Sequence, residues 1–160
     1  MKRKCFMLFL SLFTLFVHAQ NQEPAPQLEY VCELKVTCDP GYNVGPTAHG
    51  NRFIIPINGG TFEGPKMKGT VIPGGADHQL QGDKRIELEA IYSIKTDDGV
   101  YIHVRNLGLM CFKNGENYFR CAPKFEAPSN SKYDWLNNAL FICVPAVKKD
   151  YISLKVWKVL

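Results

Sequence analysis

The chain has 160 residues, with 19 Lys or Arg against 15 Asp or Glu, and nearly half of its residues are hydrophobic. Three of the basic residues, Lys2, Arg3 and Lys4, crowd the N-terminus, and the 141 residues from Gln20 onward carry 16 basic against 15 acidic side chains. Such a near-neutral remainder leaves no electrostatic footprint for nucleic acid or for an anionic membrane surface, and its size is that of one domain able to bury a core without staples.

In chain order, the basic triplet is followed by an apolar run from Cys5 to Val17, broken by Ser11 and Thr14. Val17-His18-Ala19 then supplies a small-residue cleavage site, so residues 1–19 are expected to be a secretory signal peptide with Gln20 as the mature N-terminus. The run is too short to cross the ~30 Å hydrocarbon core as a helix, which takes about 20 residues. An exported protein in the periplasm or outside the cell, with no stable membrane anchor after cleavage, is the expectation. Export permits disulfides, and five cysteines remain after the signal: Cys32, Cys38, Cys111, Cys121 and Cys143. An odd number leaves at least one unpaired or intermolecular. Cys111 and Cys121 flank a turn at Lys113-Asn114-Gly115-Glu116, so a disulfide across that hairpin is expected; Cys32 with Cys38 is the alternative, and buried thiols are a third possibility.

Residues 20–27, with Pro24 and Pro26, read as a flexible lead-in to a domain over 28–160. Beyond it the dominant period is two. Ile86, Leu88, Ala90, Tyr92 and Ile94 alternate with a mostly polar set, and Val100, Ile102 and Val104 alternate with Tyr101, His103 and Arg105. Asp97-Asp98-Gly99 between these runs is a strong hairpin signal. Further strands are expected at 28–37, 51–58, 66–72, 117–122, 139–145 and 151–159. One short helix is expected near 131–138, with Ser129 or Asn130 as N-cap. About eight strands with turns every 8–12 residues predict a single all-β sandwich or closed barrel.

Several segments resemble the domain of unknown function 3237 family: R-F-I-I-P-I-N-G-G-T-F-E-G-P over 52–65, G-T-V-I-P-G-G-A-D over 69–77, T-D-D-G-V-Y-I-H-V-R-N over 96–106 with Gly108, Y-F-R over 118–120 with Pro123 and Phe125-Glu126, and Y-D-W-L-N over 133–137. The resemblance covers roughly 28–159. It implies an antiparallel up-and-down β-barrel of calycin-like shape and implies no agreed activity. The chain departs from the family pattern at His78, where a Trp is common, in a shorter connection between the strands near 111 and 117, in its cysteines and in its leader.

A barrel of about eight strands either fills with side chains or holds one small ligand. Glycines 59, 60, 74 and 75 lie beside Asn58, Glu63 and Asp77, either to admit a ligand close to the backbone or to turn the corners of a coiled barrel. Tyr101, His103 and Arg105 share one face, which either meets water or lines the barrel. Tyr92, Tyr101, Phe119, Phe125, Tyr133 and Trp135 either wall a pocket or pack the core. With three histidines, 49, 78 and 103, and no H-x-x-x-H or C-x-x-C spacing, no metal site is predicted. No serine sits in a G-x-S-x-G elbow and no Gly-rich loop opens a helix, so esterase chemistry, bound nucleotides and other cofactors are not expected.

Two functions fit these residues, both with a small molecule as partner. A binding barrel would use Arg52, Asn58, Tyr101, Arg120, Phe125 and Trp135 to hold a ligand. A cofactor-independent isomerase, cyclase or lyase would use Glu63 or Asp77 as general base, with Arg52 or Arg105 stabilising an oxyanion. A structural role in the cell envelope, suggested by the odd cysteine, is a third.

Overall fold

The computed structural model describes residues 24–113 and 116–160. The expected signal peptide and the centre of the 113–116 turn lie outside these residues. Nine strands follow in order: β1 (Leu28–Cys38), β2 (Tyr42–Thr47), β3 (Gly50–Glu63), β4 (Lys68–Gln81), β5 (Arg85–Thr96), β6 (Tyr101–Lys113), β7 (Glu116–Glu126), β8 (Phe141–Val147) and β9 (Ile152–Val159). Every pairing is antiparallel, and the spatial order is β1-β9-β8-β7-β6-β5-β4-β3-β2. A further pairing of β1 with β3, from Glu33 opposite Glu63 to Cys38 opposite Ile57, closes eight of the strands into a barrel. Closure removes free edges from those strands except along β7 and β8, which share one residue pair in register. β2 lies outside the ring as a hairpin on the first half of β3.

Strands β3 and β4 run well past the expected boundaries because Gly59-Gly60 and Pro73-Gly74-Gly75 bulge the strands rather than end them. Register shifts lie between Ile57 and Thr61 and between Ile72 and Ala76. Gly60 has φ +132°, and a Cβ there would come within 2.1 Å of the Lys35 carbonyl oxygen. Only glycine lets β3 bend so close to β1.

The alternation read from sequence sets the two faces. Ile102 and Val104 are fully buried while Tyr101, His103 and Arg105 are exposed, so the polar trio faces water. The core fills one half of the barrel. Leu34, Phe62, Met67, Ile94, Val104 and Phe125 pack there, with the Phe125 and Phe141 rings edge to face at 5.0 Å. The short helix is a single 3-10 turn, Asp134–Asn138, that starts after Tyr133 without a side-chain cap. Ser131 rather than Ser129 or Asn130 organises its approach, its hydroxyl accepting from the Tyr133 amide at 3.2 Å. Asn137 fastens the turn by bonding both the amide and the carbonyl of Ala127. Leu136 is buried and Trp135 lies 5.9 Å from the Phe141 ring, so the turn plugs the packed end.

The five cysteines are free thiols, which corrects the expected Cys111–Cys121 disulfide. In the β6–β7 register Cys111 faces Tyr118 while Cys121 faces Gly108. The two are three positions out of step, and successive side chains alternate faces, so one sulfur points out of the barrel and the other in. Cys32 and Cys38 share the inner face of β1 but sit six residues apart, about 20 Å along a strand, beyond any disulfide.

Candidate functional site

The other half of the barrel is hollow. A cavity of about 290 Å³ is walled mainly by apolar groups, among them Val36, Ile57, Leu88, Met110, Phe119 and Leu154. These residues come from the end of the barrel opposite the 3-10 turn. Val147, which also lines the cavity, is 69% exposed, so the hollow reaches solvent there. Its volume is at the low end of the range for small-molecule sites, roughly 300–1,000 Å³.

Three polar side chains stand out on this wall: Asp77 and Gln79 from β4 and Asn106 from β6. Asp77 and Gln79 are two apart on one strand, so both point inward. The Gln79 amide donates to Asp77 Oδ2 at 2.8 Å, the Gln81 amide donates to Gln79 Oε1 at 3.0 Å, and Asn51 donates to Gln81 at 3.4 Å. This chain fixes the carboxylate plane from one side. The other oxygen, Asp77 Oδ1, and the Asn106 carbonyl oxygen are buried and have no hydrogen-bond partner among the described residues. Buried polar atoms are nearly always paired because desolvating them without a partner is costly. Both acceptors belong to residues that line the same cavity wall.

Burial pushes the Asp77 carboxyl above its ordinary 3.8, outweighing the Gln79 hydrogen bond, the neighbouring His78 and the Glu89 backbone, which all pull it down. Tyr92 lies on the same wall, and burial drives its phenol far above the usual range, keeping it neutral. Gly75 makes room for it, since a Cβ there would meet the Tyr92 Cβ at 2.5 Å.

Of the residues singled out from sequence as catalytic or ligand-binding, Asp77 alone lines this cavity. Glu63 is exposed where β3 meets β1 and β4. Arg105 lies outside, paired with Glu89 at 2.6 Å. Arg52 is three residues from the inward Ile55 on an unbroken register, and so sits on the opposite face of β3. Asn58 is exposed and donates to Asp39 at 2.6 Å. Tyr101 is on the surface under the Lys95 ammonium, and Arg120 is on the surface over Tyr118. Phe125 and Trp135 belong to the packed end. Tyr92 and Phe119, from the aromatic set, do wall the pocket. Gln79 and Asn106 were missed. Asn106 carried a signal, being a polar residue in phase with the apolar Ile102 and Val104.

The fold and site define a small closed antiparallel β-barrel, packed at one end and hollow at the other, with one carboxyl on the wall of the hollow. The chain belongs to the family described as "Protein of unknown function (DUF3237)", whose pattern matches residues 26–159. It is 35% identical over 152 residues to a UPF0311 protein of Rhodopseudomonas palustris, a match covering 86% of this chain and 99% of that one. A β-barrel-like protein from Acinetobacter baumannii superposes with a TM-score of 0.81 at 28% identity, over 88% of this chain and all of that one. A hydroalkoxylation enzyme from Penicillium herquei is 28% identical over 155 residues, 96% of this chain and 98% of its own. An enzyme structure from the same fungus superposes with a TM-score of 0.70, over 87% of this chain and 98% of that one.

Proposed function

We propose that the barrel is a cofactor-independent acid–base catalyst that takes a small, largely apolar, hydroxyl-bearing molecule into its hollow end. Asp77 transfers the proton in an intramolecular addition or isomerisation. The observation that carries this is Asp77 itself: a carboxyl with one oxygen held by Gln79 and the other buried, unpartnered and on the cavity wall. Burial raises its pKa above that of a surface carboxyl, which favours the protonated, proton-donating form relative to an exposed carboxylate. The fungal relative named for hydroalkoxylation supports the reaction class.

In such an addition the protonated Asp77 gives its proton to one alkene carbon. The substrate hydroxyl oxygen bonds the other carbon, and the hydroxyl proton returns to the carboxylate. Nothing is oxidised or reduced, and the product is an isomer of the substrate. The Asn106 oxygen is available to accept from a second substrate donor. No arginine lines the described cavity wall, so stabilisation by Arg52 or Arg105 has no part in this mechanism.

The test is incubation in D2O with a panel of unsaturated alcohols and phenols, followed by chromatography and mass spectrometry. Conversion to an isomer carrying one carbon-bound deuteron is expected, and Asp77→Asn should lower it by about 10²–10⁴-fold without weakening binding. Ligands that bind wild type and variant alike with no conversion would instead make the barrel a passive carrier.

Export is part of the proposal. The leader expected at residues 1–19 would send the barrel to meet its ligand outside the cytoplasm. N-terminal sequencing of the periplasmic or secreted protein should begin at Gln20, and recovery of the uncut chain from the cytoplasm would contradict this.

A further inference from the structure

The barrel has one thin seam. Between β7 and β8 a single residue pair is in register, whereas every other seam of the closed ring among the described residues is held by six to eleven such pairs. That single pair is Cys121 opposite Cys143. Both side chains point into the barrel, Cys143 fully buried and Cys121 only 8% exposed where it borders the cavity. Residues directly opposite on antiparallel strands have Cα atoms about 4.5–5.5 Å apart, inside the range of about 4.4–6.8 Å that a disulfide spans.

We propose that Cys121 and Cys143 form a disulfide under oxidising conditions and that this bond staples the β7–β8 seam. The proposal stands apart from the catalytic reading and does not depend on it. It accounts for the remaining thiols too: Cys32 is buried on β1, Cys38 lies at the far end of the same strand, and Cys111 faces outward on β6. None of the three is in register with another cysteine.

With a small disulfide such as oxidised glutathione as oxidant, the electrons balance. The Cys121 thiolate attacks one glutathione sulfur, breaking the glutathione S–S bond and releasing one reduced glutathione. The Cys143 thiolate then attacks Cys121 Sγ, forming the protein disulfide and releasing the second. The protein loses two electrons, glutathione disulfide gains them, and the two thiol protons pass to the reduced glutathiones. In the folded barrel this exchange is slow, because both sulfurs are buried and exchange requires an accessible thiolate. The bond therefore forms as the barrel folds and the seam closes.

The test is to refold the full chain in a glutathione redox buffer and, separately, in dithiothreitol, block thiols by alkylation, digest, and identify linked peptides by mass spectrometry. The oxidised sample should contain a Cys121–Cys143 linked peptide. Closing a loop of about 20 residues should raise its Tm above the reduced sample by about 5–10 °C. Cys121→Ala and Cys143→Ala should each lose the link and the Tm difference, while Cys32→Ala should keep both. The wild-type comparison alone decides the matter if either variant fails to fold. Absence of the linked peptide, a link through Cys32, or a linked protein with unchanged Tm would overturn the proposal.

Discussion

The two halves of this barrel are built from the same strands and do opposite things with them. At the end closed by the 3-10 turn, Phe62, Phe125, Phe141, Leu136 and Trp135 fill the interior, and the one carboxylate that matters there, Asp98, is outside and well supplied with donors. Tyr133 donates to it at 2.8 Å and Lys132 pairs with it at 2.9 Å. Hydrogen bonds from Thr96 first, then from Lys132 and Tyr133, hold its carboxyl well below the ordinary range. At the other end the interior is empty, and its carboxyl, Asp77, is inside with an oxygen to spare and a raised pKa. A continuous sheet can thus be a core along one half of its length and a vessel along the other. The polarity of a few inward positions decides which.

The largest difference between the halves should appear on truncation. Phe125→Ala in the packed half should cost about 3–5 kcal/mol by urea or thermal unfolding, because close-packed surroundings cannot collapse into the space. Leu88→Ala in the cavity wall should cost about 2 kcal/mol or less, since that side chain already borders a void. Equal losses would remove the distinction between a packed and a hollow half.

Acid should next separate the two carboxylates. Asp98, with its lowered pKa, contributes stability that is present above 3.8 and is lost as pH falls from there through its folded value. Asp77, with its raised pKa, does the reverse. Its ionisation is harder in the fold than in the open chain, so a cost develops as pH rises from 3.8 through the folded value and then levels off. Asp98→Asn should therefore weaken the protein at neutral pH and match wild type in strong acid. Asp77→Asn should be as stable as wild type or more so at neutral pH, with the gap closing in acid. Stability curves for both variants against pH check the two signs.

The smallest effect is expected on the outer face. Arg105→Ala breaks a solvent-exposed pair with Glu89, worth about 0–1 kcal/mol, and should leave conversion of any substrate unchanged. A loss of activity in this variant would bring the outer face back into the mechanism.

The sequence made the fold more legible than the site. Period-two alternation over 86–95 and 100–105 and the Asp97-Asp98-Gly99 turn gave β5, β6 and their hairpin directly, and Gly99 does take φ +90° in that turn. The glycine pairs in β3 and β4 misled the boundaries because a bulge and a turn use the same residues, and only the partner strand tells them apart. The fourteen-residue β3 also hid β2, whose exposed Tyr42 and Val44 give it no buried face to announce it. At the site Asp77 was visible as a carboxylate beside a glycine pair. Arg52, Glu63 and Arg105 looked equally suitable, because closure of the barrel, and not local sequence, decides which face is inside. The expected cysteine pairing failed for the same reason: proximity across a turn says nothing about register.

The central claim concerns one carboxyl group in an apolar hollow. Its most direct test is the pH titration of the Asp77 side-chain carboxyl carbon by NMR, assigned by its absence in Asp77→Asn. A midpoint above the ordinary 3.8, rising further when a small apolar ligand occupies the cavity, is the expected result. A midpoint at or below 3.8, unmoved by ligand, would contradict a buried proton-transfer group at this position.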